Sequence, residues 1–240
     1  MTRLISTIQT DFTVQVRNRL YAIGLAVAVI IAFILSWITT GDELARTVPT
    51  MMLLTLGGST LLYVAGLILF EKDEGTLSAL IVSPLTVREY LTSKVITLTG
   101  LASLEGIVMI AGAAALLGME VLTSFNVFVL LLGMMAIGVV YTLLGIVVIV
   151  RHNSITDFLV PVLFIATILQ APAFHFTGLL ESYAWYIIPT TAQTLIMQAA
   201  WEPLAAWEWV YALVYTAMTI GVLYAWSLRA FHAHIVMRIS

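Results

Sequence analysis

The sequence predicts an all-α membrane protein that crosses the bilayer six times. Apolar residues make up 61% of its 240 residues and charged residues 10%, whereas soluble domains carry about 25% charge. The mean hydropathy of +1.06 points to the same class. A bilayer core about 30 Å thick requires roughly 20 apolar residues in a helix. Runs of about this length, with at most one charge each, occupy residues 21–39, 51–70, 95–117, 125–150, 158–174 and 209–228.

The composition also excludes several classes of function. Ten basic and thirteen acidic residues give a net charge of −3, so the chain lacks the basic excess that binds nucleic acid. The absence of cysteine excludes disulfides, thiolate metal sites and cysteine nucleophiles. The first twenty residues mix polar and apolar types and do not form a cleavable signal peptide. We therefore expect residues 1–240 to form a single transmembrane domain of mature protein.

Residues 1–20 are predicted to form an amphipathic helix at the inner membrane interface. Apolar side chains recur every four residues and sweep one side of a helix. These side chains are Leu4, Ile8, Phe12, Val16 and Leu20, joined by Ile5. A polar leader has no need of such a face, so the interfacial helix is favoured over it.

The first two apolar runs are predicted as uninterrupted spans. The first covers residues 21–39 and is closed by Gly41. The second covers residues 51–70 and is opened by Pro49, because the first position of a helix tolerates proline. We therefore expect the second helix to begin at this proline.

Residues 71–94 are predicted to form a cytoplasmic elbow of two short helices between spans two and three. Gly75 can adopt the positive φ that ends a helix, and Thr76 can cap a short helix that Ser83 and Pro84 then break. Thr86 and Glu89 have the spacing of a capping box, which starts the helix leading into span three. A solvated loop is the alternative. It does not explain the apolar residues, which require a protein surface to bury them: Leu77, Leu80, Ile81, Val82 and Leu85.

Span three contains Glu105, a carboxyl group at the middle of an apolar run. A carboxylate near the centre of a transmembrane helix costs on the order of 2.5–3.5 kcal/mol, so it should meet a partner, water or the bundle interior. Two roles remain open at this point. Glu105 either faces a translocation pathway or forms a neutral hydrogen bond to a neighbouring span.

Residues 171–207, between spans five and six, are apolar but too interrupted to span the bilayer. Pro172, Gly178, Pro189 and Pro203 break the segment into short pieces, such as a helix at 191–200. Pieces of about ten residues suit re-entrant helices that enter one leaflet.

In span four, the small residues are expected to permit close helix approach. They are Gly133, Gly138 and Gly145.

The basic residues predict the orientation. Lysine and arginine are retained in cytoplasmic segments, and a cytoplasmic N-terminus places all but Arg46 on that side. The inner set is Arg3, Arg17, Arg19, Lys72, Arg88, Lys94, Arg151, Arg229 and Arg238. The outer segments contain the tryptophans of an interfacial belt. The sequence therefore predicts a multi-pass membrane protein with both termini in the cytoplasm.

Neither a catalytic nor a metal site is predicted. Asp157 follows Ser154 by three residues, which is the spacing of a helix cap at the start of span five. The outer residues His175, Glu181 and Glu202 have no pair at the i, i+3 or i+4 spacing of metal ligands on a helix. A surface position is the favoured interpretation of all three.

The loop at residues 71–94 resembles that of a known family. Its pattern E-K-x-x-G-T-L-x-x-L-x-x-S-P-L-x-x-x-E-Y-L-x-x-K closely resembles the loop between spans two and three of ABC type-2 transporter permeases. Residues 153–161, Pro172 with Gly178, and residues 188–190 are similar to later parts of the same family. The chain length and the RHNSITDF turn at residues 151–158 are similar to the small fluoroquinolone-export type permeases.

The resemblance implies a half-transporter in the cell membrane, the cytoplasmic membrane of a prokaryote. Two permease chains, identical or paralogous, would work with separate ABC ATPase subunits that bind ATP and magnesium, and the chain would need no cofactor of its own. It would export a hydrophobic or amphipathic substrate, such as a drug or a lipid-like molecule. Membrane lipid would surround it as a further partner. The sequence has no G-x-x-x-x-G-K-[ST] phosphate loop, so we expect no ATPase activity in this chain. The loop residues implied to couple to the ATPase are Glu71, Gly75, Thr76, Leu77, Leu80, Ser83, Pro84, Leu85 and Glu89.

An intramembrane enzyme and a secondary transporter, each using Glu105, are the alternatives. An enzyme would be expected to place several polar side chains at one membrane depth, and only Glu105 qualifies. Secondary transporters commonly have broken helices near the midplane, whereas the breaks here cluster on the outer side. Both alternatives are therefore less favoured than a permease.

Overall fold

The computed structural model describes residues 2–39, 43–77, 84–118 and 125–237, and these ranges contain helices and no strands. A 3₁₀ helix at Tyr183–Ile187 precedes the α-helix at Pro189–Gln198, and a π-helical turn at His232–Val236 extends the α-helix at Ala206–Phe231. The α-helices are α1 (Thr2–Arg17), α2 (Leu20–Ile38), α3 (Leu44–Asp73), α4 (Val87–Leu117), α5 (Val127–Ile149), α6 (Ile155–Gln170), α7 (Ala173–Phe176), α8 (Pro189–Gln198) and α9 (Ala206–Phe231).

Six of these helices are long and apolar enough to cross a membrane: α2, α3, α4, α5, α6 continued by α7, and α9. The prediction of an all-α protein with six spans is confirmed. The spans α3, α4 and α5 form the interior of the bundle and pack on one another, while α2, α6 and α9 lie outside them. The outer three carry large exposed apolar side chains, as lipid-facing helices do.

Helix α3 begins earlier than expected. It starts at Leu44, so Pro49 lies inside the helix and not at its first position. The expectation was wrong because a proline removes a single hydrogen bond, the one to the residue four positions earlier. Here that residue is Ala45, in the first turn of α3, where the loss does not interrupt the rest of the helix.

The small residues of α5 lie at close helix contacts, as expected. A Cβ built on Gly133 would lie 2.4 Å from Met197 Cγ on α8, and one on Gly145 would lie 3.1 Å from Val64 on α3. At Gly138 it would lie 3.2 Å from Thr99 on α4. Larger residues at these positions would separate the helices that meet there.

The segment at residues 171–207 contains one helix that is packed inside the protein. Helix α8 begins with Pro189 at its first position and contacts α3, α5 and α9. Eight consecutive side chains, residues 190–197, are buried. The predicted helix at 191–200 is therefore present, two residues earlier than expected. A short helix enclosed by protein satisfies the condition under which non-spanning backbone is tolerated at membrane depth.

Candidate functional site

The ends of the loop between α3 and α4 have the predicted local structure. Gly75 has a φ of +70° and follows the end of α3 at Asp73. The Thr86 hydroxyl accepts the backbone N–H of Glu89 at 3.2 Å, and the Glu89 carboxylate accepts the backbone N–H of Thr86 at 2.9 Å. The capping box is confirmed and starts α4 at Val87.

The apolar residues at both ends of the loop are buried in this chain. Leu77 is 2% exposed within the core, and Leu85 is half-buried against it. Pro84 is exposed, and its carbonyl accepts a hydrogen bond from the Arg3 side chain of α1 at 3.1 Å. Leu80 and Ser83 lie outside the described residues. Leu77 therefore has a burial site without a partner protein, and any docking surface must come from the rest of the loop.

A buried charge network joins three helices beside this loop. Lys94 of α4 is 1% exposed, and its ammonium group forms ion pairs with Asp11 of α1, at 2.5 Å, and with Glu71 of α3. The hydroxyl of Ser93 donates to the second oxygen of Asp11 at 2.5 Å, and that of Tyr90 donates to the second oxygen of Glu71. The four carboxylate oxygens thus all have partners. We call Asp11, Glu71, Tyr90, Ser93 and Lys94 the junction network.

The orientation of α1 explains how Asp11 enters this network. Asp11 and Gln15 are buried against α4, where the Gln15 amide donates to the Thr97 hydroxyl at 2.8 Å. Phe12 and Val16, one residue further along the chain in each case, are each 50% exposed. At these four positions α1 turns polar side chains toward the protein and apolar ones outward, while Leu4, Ile8 and Val14 are half-buried. This arrangement suits a helix at a membrane interface.

Sequence analysis did not find the junction network, since Asp11 and Lys94 are 83 positions apart. The available signal was Lys94 itself, which directly precedes the third apolar run. A lysine at that depth requires a carboxylate partner. Glu71 could have been proposed from the loop sequence, but nothing in the sequence distinguishes Asp11 from the other acidic residues.

Lys72 connects the same junction to a fourth helix. Its ammonium group donates to the backbone carbonyl of His152 at 2.5 Å, and to those of Ile149 and Val150 at 3.4 Å. These carbonyls belong to the C-terminal end of α5, where unpaired acceptors and the helix dipole favour a cation. Consecutive residues Glu71 and Lys72 therefore link the end of α3 to α4 and to α5.

A cavity of about 250 Å³ lies between α1 and the loop ends. Its wall includes Asp11, Glu71 and Glu74 together with apolar Leu77 and Leu85. Since Lys94 already balances one of the three carboxylates, the cavity wall has an excess of negative charge. A basic side chain from a partner protein would complement it.

Glu105 lies between α3 and α4, 1% exposed. One carboxyl oxygen accepts hydrogen bonds from Ser59 at 2.9 Å and Tyr63 at 3.2 Å, both on α3. The other oxygen has no hydrogen-bond partner among the described residues. The geometry is that of an interhelical hydrogen bond in the bundle interior, which is one of the two roles that the sequence left open.

Asp157 and His175 have structural contacts, while Glu181 and Glu202 are exposed. The Ser154 hydroxyl accepts the backbone N–H of Asp157 at 3.1 Å and caps α6. The ring of His175 packs against Phe176 and Tyr186. Over the part of the chain that the structure describes, no group of three or more histidine and acidic residues could hold a metal ion.

Comparison with known proteins covers almost the whole chain. The sequence pattern of the fluoroquinolones export permease protein family matches residues 2–239. Two similar proteins are the fluoroquinolones export permease proteins of Mycobacterium tuberculosis strains CDC 1551 / Oshkosh and ATCC 25618 / H37Rv. Each is 28% identical over 242 residues, which is 99% of this chain and 98% of the relative. This chain, a multi-pass membrane protein, therefore belongs to the fluoroquinolones export permease protein family.

Proposed function

We propose that this chain is the permease subunit of an ATP-driven ABC exporter and forms the translocation pathway for hydrophobic or amphipathic molecules. The observation that carries the proposal is the family match over residues 2–239. The relatives' names make fluoroquinolones the first substrates to test. We place the chain in the cell membrane with both termini in the cytoplasm. This orientation puts nine of the ten basic residues on the cytoplasmic side.

ATP hydrolysis is assigned to a separate partner. The chain contains no phosphate-binding loop of the G-x-x-x-x-G-K-[ST] type. We therefore infer that ABC ATPase subunits dock on the cytoplasmic side and that a second permease chain, identical or paralogous, completes the pathway.

The junction network supports a route for coupling. Its ion pairs hold α1, α3 and α4 together at one end of the bundle, and Lys72 adds the end of α5. The described ends of the loop between α3 and α4 adjoin this network at a shared cavity. An ATPase that moves the loop would therefore displace four helix ends as one body, because packed interfaces move rigidly and do not deform continuously.

Transport assays can test the energy source. Proteoliposomes containing the chain and the ATPase that co-purifies with it should accumulate a fluorescent fluoroquinolone when ATP is supplied on the cytoplasmic face. An ATPase variant without hydrolytic activity should remove this accumulation. Transport that continues without ATP and stops when the proton gradient is collapsed would contradict the proposal and identify a secondary transporter.

The loop provides a residue-level prediction. Leu80→Asp is expected to reduce ATP-dependent export at least about tenfold. Docking would have to remove the new carboxylate from water at an apolar surface, which costs several kcal/mol. The amount of inserted protein should not change. Leu80→Met is the matched control and should retain export. Normal export and normal ATPase co-purification in Leu80→Asp would remove Leu80 from the coupling surface.

Leu85 belongs to the same proposed surface but is a weaker test. Because it is half-buried against this chain's own core, Leu85→Asp is expected to lower thermal stability as well as coupling. A loss of export in this variant counts toward coupling only when the protein still elutes as folded wild type does in detergent.

Two substitutions separate the possible roles of Glu105. Glu105→Leu leaves the hydroxyls of Ser59 and Tyr63 without their acceptor, and we expect a loss of stability of about 0.6–2 kcal/mol in detergent. Glu105→Gln retains an acceptor oxygen and is expected to export drug normally across pH 6 to 8. Impaired or pH-shifted export in Glu105→Gln, with normal stability, would instead place a charged or proton-exchanging carboxyl on the translocation pathway.

A further inference from the structure

A groove of about 660 Å³ lies between the start of α4 and the end of α9, on the side that the proposed orientation places in the cytoplasm. Its wall combines basic and apolar side chains. These are Arg88, Arg229 and His232 together with Val87, Leu228 and Ala233. The groove shares no residue with the junction network.

The arginines of this groove are exposed and lack acidic partners. Among the described residues, no carboxylate lies within 4.0 Å of the guanidinium of Arg88 or Arg229. Glu89, the acidic residue next to Arg88, is bound to Thr86 in the capping box. The basic charge of the groove is therefore available to a ligand.

A third arginine lies close to the same helix end. The guanidinium of Arg151 sits over the ring of Trp226, 5.7 Å from its centroid. Trp226 precedes Arg229 by three residues, so the two side chains lie on adjacent turns of one helix face. Cationic groups from α4, α9 and the end of α5 thus collect around the end of α9.

Helix electrostatics explain only one of the two arginines in the groove. Arg229 lies in the last turn of α9, where the helix dipole favours a cation. Arg88 lies in the first turn of α4, where the dipole favours an anion. A general preference for basic residues on the cytoplasmic side accounts for their sign but not for their position around one groove.

The groove continues into a lipid-facing surface. Val222 and Trp226 are 60% and 45% exposed on the face of α9 that carries Arg229 and His232. Helix α9 has 26 residues, about 39 Å at 1.5 Å per residue, so its end reaches the headgroup level of the bilayer. A molecule that fits has an apolar chain along Val222 and Trp226 and a negative group at the arginines.

We propose that this groove binds the phosphate headgroup of an anionic phospholipid, whose acyl chain lies along α9. Arg88 and Arg229 bind the phosphate oxygens through their positive charge, since basic side chains near the membrane surface attract anionic headgroups. An acidic segment of the ATPase could satisfy the arginines, but it would leave the adjoining apolar stripe unused. The inference depends on the proposed function only for naming the inner leaflet as the source of the lipid.

Native mass spectrometry of the isolated chain in neutral detergent tests the proposal. Titration with phosphatidylglycerol should give a bound species at lower concentration than titration with phosphatidylcholine. The pair of substitutions Arg88→Gln and Arg229→Gln should weaken phosphatidylglycerol binding about 25-fold, at roughly fivefold per arginine. The charge-conserving pair Arg88→Lys and Arg229→Lys should stay within about threefold of wild type, because the lipid surface responds mainly to charge.

The control pair is Arg17→Gln with Arg46→Gln, which makes the same charge change at two other exposed positions and should leave binding unchanged. Equal binding of the two lipids, or equal losses in the control and groove pairs, would overturn the proposal. Full competition by glycerol 3-phosphate would show a site for soluble phosphate esters. If the groove pair kept lipid binding but lost the co-purifying ATPase, the surface would belong to the ATPase.

These measurements use no ATP, ATPase or drug, except in that last comparison. Failure of lipid binding is therefore distinguishable from failure of the transport proposal. If the glutamine pair did not elute as folded protein, Arg88→Gln and Arg229→Gln would be measured separately, each with an expected loss of about fivefold.

Discussion

Lys94→Met is expected to destabilise the protein by about 3–5 kcal/mol, because it leaves the carboxylates of Asp11 and Glu71 buried without their cation. Their hydroxyl donors, Ser93 and Tyr90, remain but cannot balance two negative charges. Thermal unfolding of the purified protein in detergent measures the loss. Separation of α1 from α4 should accompany it, detectable as faster proteolysis within residues 2–17.

The matched variants distinguish charge imbalance from lost packing. Combining Lys94→Met with Asp11→Asn and Glu71→Gln removes all three charges, and we expect stability close to wild type, since a buried ion network contributes little net stability when replaced as a whole. Asp11→Asn alone should cost less than Lys94→Met, because Lys94 would keep Glu71. Equal losses in Lys94→Met and the neutral triple variant would contradict the electrostatic explanation.

Gly133→Leu is expected to prevent native packing of α5 against α8. Even a Cβ at this position would lie 2.4 Å from Met197 Cγ and 2.9 Å from the Met197 backbone nitrogen. The side chain of Met197 can move, but its backbone lies in a buried helix that contacts α3, α5 and α9. Gly133→Ala should cost about 1–3 kcal/mol, and the leucine variant should give little folded protein after size-exclusion chromatography.

A second-site substitution tests which atoms oppose the added carbon. Met197→Ala should cost less stability when Gly133→Ala is already present than in the wild-type background, because it removes the Cγ contact but not the one at the backbone nitrogen. Gly100→Ala is the matched control. No atom lies within 4 Å of a Cβ at that glycine, so the substitution should not lower stability. An equal cost of Met197→Ala in both backgrounds would show that the Cγ contact is unimportant.

Local features of the loop were predictable because each depends on neighbours in the chain. The positive φ of Gly75 follows from the need to end α3, and the Thr86–Glu89 box joins residues three positions apart. The burial of Leu77 was not predictable in the same way. Its apolar side chain required a protein surface, and only the packing of α3 and α4 shows that this chain supplies one.

The sequence by itself determined the class of protein, the six spans and the caps of the loop and of α6. These features can be predicted from composition, from the length of apolar runs and from short residue spacings. Each of these signals depends only on residues close together in the chain. The tertiary structure decided three contacts. Asp11 forms an ion pair with Lys94, Glu105 accepts hydrogen bonds from α3, and α8 packs closely against Gly133. Buried polar groups and close contacts take their partners from distant segments, so their pairing exists only once the helices have packed.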